Sequence, residues 1–404
     1  MAENGWRSAN THLHLKQISR EEADRYLSET PRADGLDALF VSHLERADAD
    51  REYISNRLTE ADLRSLSEST GVLFGNGEEH RHNFAKPNEA PGKSFSGEGY
   101  GHVMFLNLRN LVQPVSIGPG IMKSGTDGIP LQRGIDEARS QGATVLWCHN
   151  TYGLEDIPNW VTGRPHAQNI FDGEPATHGS YKDTFYRYLN AGLRVPFSTG
   201  TDWFIYDFSR VYAHVPSMES TRDWLGALEK GRTFITNGPF LEFRVNDRRP
   251  GDTLGLEAPA PVHVQARAVG RVDFRFLELI RNGALVKAAP SRPKEGRFES
   301  DLSMDVDIAA PCWLALRIPP EPVKDESAPM SELGGPLFAH TSPVYVDVAG
   351  KHVFDAGVAR GLLEEVRAAR ETILKSAVFA DDHERGHVLE VYAAAAAVLE
   401  KMLR

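Results

Sequence analysis

An α/β fold followed by an all-β domain and a C-terminal helical hairpin is what this sequence predicts, and three observations predict it. Up to about Pro239, short apolar runs alternate with stretches of helical spacing, and the runs end in polar residues. Strands separated by helical patterns give α/β units that close into a barrel. From Phe240 to about residue 350 the pattern becomes strict alternation, as in Leu241-Glu242-Phe243-Arg244-Val245, broken by turn signals such as Asn282-Gly283. That texture reads as a β-sandwich-like domain. Beyond residue 351, Leu362, Leu363, Val366 and Ile373 share one helix face, and a second helix, Val388 to Leu403, follows the acidic turn at Asp381-Asp382. The alanine run 393–397 has no heptad order, so the pair reads as a packed hairpin, not a coiled coil.

The barrel elements follow in order. Asn10-Thr11-His12-Leu13-His14-Leu15 is a short buried strand. Side chains alternate on a strand, so His12 and His14 point the same way while the leucines pack behind them. Residues 20–27 have helical spacing, and Leu39-Phe40-Val41 is a strand ending at Ser42-His43. Thr59 caps a helix that runs to Thr70. Gly71 to Phe74 is a strand leading to Gly77-Glu78-Glu79, and residues 81–100 read as a long Pro/Gly/Asn-rich loop. His80 and His82 therefore read as a surface pair at the head of that loop. Gly101 to Leu106 is a strand with His102 at its front, residues 134–141 form a helix, and Thr144 to Cys148 is a strand ending in His149. A helix at residues 180–190, the segment ending at Asp202, a helix at 224–230 and the strand Thr233 to Thr236 complete the half.

Composition narrows the function classes. The chain has 404 residues, long enough for more than one core. Its net charge of −11 argues against a nucleic-acid groove or an anionic membrane as the main partner. No apolar run approaches the ~20 residues that span a bilayer, and Met1 to Trp6 lacks the regions of a signal peptide, so a cytoplasmic protein is expected. Two cysteines, Cys148 and Cys312, make no disulfide scaffold.

The chemistry lies at the strand ends. His12, His14, His43, Glu79 (or Glu78), His102, His149 and Asp202 each fall at one end of an apolar run, and an α/β barrel gathers such positions at one mouth. Imidazoles mixed with carboxylates suit zinc, manganese or iron rather than an all-oxygen calcium cage. Trp203 and Phe204, beside Asp202, read as pocket walls that bind substrate. Asn237, in Thr236-Asn237-Gly238-Pro239, belongs to a turn and could contact the site. Arg210 reads equally as a salt-bridge partner and as a catalytic clamp.

Taken together, these motifs resemble the polymerase-and-histidinol-phosphatase (PHP) superfamily of metallohydrolases, in particular the branch that includes carbaryl hydrolase. The matching residues are His12-x-His14, His43, Gly77-x-Glu79, Gly101-His102, His149, Gly200-Thr201-Asp202, Arg210 with Tyr212, and Gly231 to Pro239. Ile280 to Gly283 and Ala339 to Tyr345 look like that branch's appended domain. The resemblance implies a distorted seven-stranded β/α barrel. It also implies one metal on His12, His14, Glu79 and Asp202, and a second on Glu79, His102 and His149, with Glu79 bridging. The ligand expected of a third metal is replaced by Phe204, and the residue before His43 is Ser42, so one or two divalent ions are expected. His43 is then left either to protonate a leaving group or to serve as a ligand or a ligand's support. The implied activity is metal-dependent hydrolysis of an ester, amide or carbamate bond in a small molecule. The alternatives are a phosphoesterase and a non-enzymatic, metal-stabilised binding protein. Self-association is left open.

Overall fold

The computed structural model describes residues 4–46, 53–85, 99–122, 125–149, 153–172, 185–318 and 329–404. The chain is mixed α/β. It divides into two compact units that do not follow chain order. One combines residues 12–33, 39–166 and 356–404; the other combines 1–11, 34–38 and 167–355. Each is described by itself.

The sheet of the first unit is built from the end of β1 (Trp6–His14), then β2 (Ala38–His43), β3 (Leu73–His82), β4 (Gly101–Leu106) and β6 (Thr144–Cys148) side by side, with β5 (Ser116–Ile117) along β3. Its apolar runs, among them Leu39 to Val41, Val103 to Leu106 and Val145 to Cys148, are buried. The β3–β4 and β4–β6 pairings are antiparallel. This corrects the regular strand–helix alternation expected of the barrel, which makes neighbours parallel. An antiparallel neighbour needs no crossover helix, so apolar runs alone do not distinguish the two. Gly77 is required where it stands, because a Cβ there would lie 2.8 Å from Ser42 Oγ and 3.1 Å from Leu106 Cδ2.

The helix Glu60–Thr70 starts as predicted. Thr59 Oγ1 accepts from the Asp62 amide at 3.2 Å, and Asp62 Oδ2 accepts from the Thr59 amide at 2.7 Å. Such a reciprocal box satisfies two otherwise unpaired donors. Thr59→Ala is expected to cost about 1 kcal/mol, read as a lower urea midpoint; an unchanged midpoint would mean the helix start is held by packing alone.

The helices Ala356–Ser376 and Asp382–Met402 form the predicted hairpin and complete this same unit. Leu362, Leu363, Val366 and Ile373 are buried on the first helix, and Val388, Val391, Tyr392, Ala395 and Leu399 on the second. Asp127 ties the hairpin down, its backbone N–H donating to the Val378 carbonyl at 2.8 Å and its Oδ2 accepting from the Val378 amide at 2.7 Å. Thr126 Oγ1 donates to Glu384 Oε2 at 2.7 Å.

The second unit is mostly antiparallel sheet. One sheet of four strands runs in the order Phe240–Val245, Ala260–Gly270, Arg297–Ile308 and Arg292–Lys294. Facing it across one hydrophobic core lie other strands, including Phe276–Arg281, Cys312–Ile318 and Val344–Val348. Strands from before residue 240 join them: Arg210–His214 pairs with Thr233–Thr236, which pairs with Ala339–Thr341. The start of β1, Trp6 to Ala9, pairs with residues 211–214. Of the expected helix at 180–190, residues 185–190 lie among the described residues, with Arg187–Asn190 α-helical, and residues 86–98 of the expected long loop lie outside them. Among the described residues no helix is long and apolar enough to cross a membrane.

Candidate metal centre

The first unit brings five of the predicted residues together. β1 carries His12 and His14, both 0% exposed. Leu13 and Leu15 are buried as well. β3 carries Glu79, β4 carries His102, and His149 follows β6 directly. Glu79 Oε2 lies 3.1 Å from His14 Nε2 and 3.9 Å from His12 Nε2. Glu79 Oε1 lies 3.0 Å from His102 Nδ1 and 3.9 Å from His149 Nε2. The two histidines of β1 are 2.9 Å apart, Nε2 to Nε2. The choice between neighbouring glutamates is thereby made for Glu79. Glu78 faces the other way, with Oε2 accepting from the Val112 amide at 2.7 Å and Oε1 3.1 Å from His80 Nδ1.

Tautomers sharpen this geometry. A carbonyl oxygen can only accept, so His14 Nδ1, 3.0 Å from the Ser42 carbonyl, must carry hydrogen. Its other ring nitrogen, Nε2, is turned toward Glu79 Oε2. On the other side, His102 Nε2 donates to Asn83 Oδ1 at 3.3 Å, which leaves Nδ1 as a lone pair facing Glu79 Oε1. Burial pushes the His102 pKa down to about 4, favouring that neutral form. Burial alone would raise the Glu79 carboxyl, but the Arg81 guanidinium, 3.7 Å away, works against it and the carboxyl lies well below the usual carboxylate range. Each oxygen of one carboxylate therefore meets an imidazole nitrogen at about 3 Å. Such groups converging in a buried place call for a proton or a cation between them. Outer hydrogen bonds that fix a ligating histidine's tautomer are the usual companions of a metal site.

The donor set fits a divalent ion: Glu79, His102 and His149 present atoms within 4.8 Å of one another, and buried His and Glu groups of this kind can hold a metal.

The other predicted residues are placed as follows. His43 is half-buried, its Nε2 3.1 Å from Glu45 Oε1, and lines a cavity of about 230 Å³ with Asn56, Asn76 and Arg109. None of the five clustered residues lines that cavity among the described residues. In the second unit, Asp202 and Trp203 form a two-residue strand, and Asp202 and Phe204 have φ of +60° and +43°. Positive φ at two such residues marks a backbone held by its surroundings. Trp203 and Phe204 are half-buried. Arg210 is committed to structure: Nη2 and Nη1 donate to Asp34 Oδ1 and the Asp34 carbonyl at 2.8 and 2.6 Å, and Nε donates to the Phe208 carbonyl at 2.9 Å. Asn237 spends both polar groups on residues 336–338, Nδ2 donating to the Pro336 carbonyl and Oδ1 accepting from the Phe338 amide.

Two expectations are corrected. His80 and His82 do not head a surface loop; β3 continues through them, and both are fully buried. His80 pairs with Glu78, while His82 Nε2 lies 2.9 Å from Asp127 Oδ1 with its ring stacked on Tyr100. The apolar run stops at Phe74, so nothing apolar announced the rest of the strand. Arg81 and Asn83 were missed for the same reason. Their signal was the period of two linking Glu79, Arg81 and Asn83. His178, which precedes Gly179 and a predicted helix start and so reads as a cap or rim residue, lies outside the described residues.

No model of a known protein family matches this chain, and no curated protein does. The molecule is defined by its own features: a mixed α/β chain in which buried histidine and glutamate groups could hold a metal ion.

Proposed function

We propose that this protein is a metal-dependent hydrolase acting on an ester, amide or carbamate bond of a small molecule. The observation that carries the reading is the buried Glu79 carboxylate, with an imidazole nitrogen about 3 Å from each of its oxygens. A structural zinc is normally a closed four-ligand site, whereas four histidines around a shared carboxylate suit two adjoining ions with positions left for water. A divalent ion held there supplies water activated at neutral pH.

The chain's own residues do the rest. Ser42 and Asn83 hold His14 and His102 in ligating tautomers, and Arg81 keeps Glu79 ionised. The resemblance to PHP metallohydrolases adds Asp202 as a further ligand. Trp203 and Phe204 are then the apolar wall that favours a neutral, ring-bearing substrate. A phosphate monoester is a dianion that wants more positive charge than this set offers, and Phe204 stands where a third metal's ligand would be.

Metal content of the purified protein, followed by paired substrates sharing one leaving group, tests this. One to two equivalents of zinc, manganese or iron, and a higher kcat/KM for the carboxylic or carbamic ester, are expected. A better phosphomonoester substrate would replace the carbonyl reading with the phosphoesterase. One tightly held, exchange-inert zinc and no turnover would leave a binding protein.

A further inference from the structure

The face of the four-stranded sheet opposite the core carries a second feature. Register places Arg244, Gln265 and Ser303 in one row across three strands, and Glu242, Arg267 and Asp301 in the next. With Asn4, Trp6 and Arg249 these rows line a cavity of about 570 Å³, inside the ~300–1,000 Å³ range of small-molecule sites.

Its charges are unevenly satisfied. Arg267 lies 3.9 Å from Glu242, 3.6 Å from Asp301 and 3.2 Å from Glu299, so the acids of that row are engaged. Arg244 and Arg249 are half-buried, and among the described residues no carboxylate lies within 4.0 Å of either guanidinium. The nearby Asp252 accepts from the Arg249 backbone amide at 3.0 Å and lies 3.9 Å from Arg232. Burial, then the charge of Arg244, lower the Arg249 pKa, as expected when two guanidinium groups are held together. In a chain of net charge −11, two such arginines side by side call for an anion.

We propose that this cavity binds a small molecule through an oxyanion, a carboxylate or a phosphate group, held between Arg244 and Arg249. The planar guanidinium fork matches two oxygens at once. Gln265 and Ser303 offer further polar groups in the same row, and Trp6 gives the cavity an aromatic wall. The site belongs to the sheet-rich unit and does not depend on the metal reading.

Calorimetric titration of the full chain with inorganic phosphate, and separately with succinate, tests the proposal. The buffer contains 1,10-phenanthroline, a neutral chelator that keeps the candidate metal centre out of the measurement. Saturable binding of at least one anion is expected, and the preferred one identifies the oxyanion. Arg244→Gln and Arg249→Gln should each weaken it about tenfold or more, the usual scale for a charged hydrogen bond. Arg244→Lys keeps the charge but loses the fork, so it should fall between, which separates recognition from misfolding. Arg248→Gln, an exposed neighbour outside the lining, should change nothing. Absence of saturable binding of either anion, or equal binding by the folded double variant R244Q/R249Q, overturns the proposal.

Discussion

Glu79→Gln is expected to weaken metal binding more than about 100-fold, the upper end of what is lost when a residue merely supporting a ligand is changed, and to lower turnover in step. The amide keeps the shape but loses the charge that faces His14 and His102. Its neighbour supplies the control. Glu78 is buried so deeply that its carboxyl is pushed up to about 8, so it is mainly protonated at pH 7 and Glu78→Gln replaces a neutral group by its isostere. Metal content should stay at the wild-type level in that variant. Equal metal loss in both would mean that the strand, not the Glu79 carboxylate, organises the centre.

The second large effect is a two-sided dependence of stability on pH in the metal-free protein. Glu78 and Glu155 are raised by burial to about 8 and about 7. The folded state keeps these protons where the unfolded chain has lost them, so their stabilisation disappears as pH rises. From pH 6.5 to 8 the loss is about 2 kcal/mol, at ~1.4 kcal/mol per proton per pH unit. His80 and His340 are lowered by burial to about 3. The folded state leaves them neutral where the unfolded chain is charged, so their contribution is complete above about pH 6.5 and falls below it. Between pH 6.5 and 4.5 the two pairs offset each other. Below 4.5 the unfolded carboxyls of Glu78 and Glu155 are protonated too, and His80 and His340 contribute a slope of about 2.7 kcal/mol per unit. At His340 burial outweighs the bond from Nδ1 to the Thr341 carbonyl, which by itself favours the charged ring, and Nε2 accepts from Tyr186 Oη at 2.9 Å. Urea midpoints of chelated protein across pH 3 to 8.5 measure this. Glu78→Gln should flatten most of the alkaline fall; a wild-type profile already flat from pH 6 to 8.5 would refute the assignment.

These residues also show what the sequence could convey. The His-x-His pair was readable because apolar leucines separate its members, so strand, face and burial are all signalled locally. His102 and His149 were readable because each borders an apolar run. β3 was only half readable: past Phe74 its side chains are polar, and partners distant in sequence pay for their burial, Asp127 for His82 and the Val112 amide for Glu78. Arg210 was ambiguous for a similar reason, because Asp34 lies 176 residues away. The antiparallel ladder of β3, β4 and β6 was not legible, since direction depends on connections and not on the composition of the strands.

The bond between Asp127 and Val378 has a consequence for how the protein is made. Its partners are 251 residues apart. At roughly 5–20 residues per second of synthesis, the carboxylate waits on the order of tens of seconds for the amide that satisfies it. Throughout that interval the surface covered by Leu399, Tyr392 and Val388 stays bare, although the strands bearing His12, Glu79 and His102 have already left the ribosome. Nascent chains halted before residue 356 should therefore be sticky, protease-sensitive clients of chaperones, and the unit bearing these histidines must mature after translation has passed the whole intervening β-rich segment.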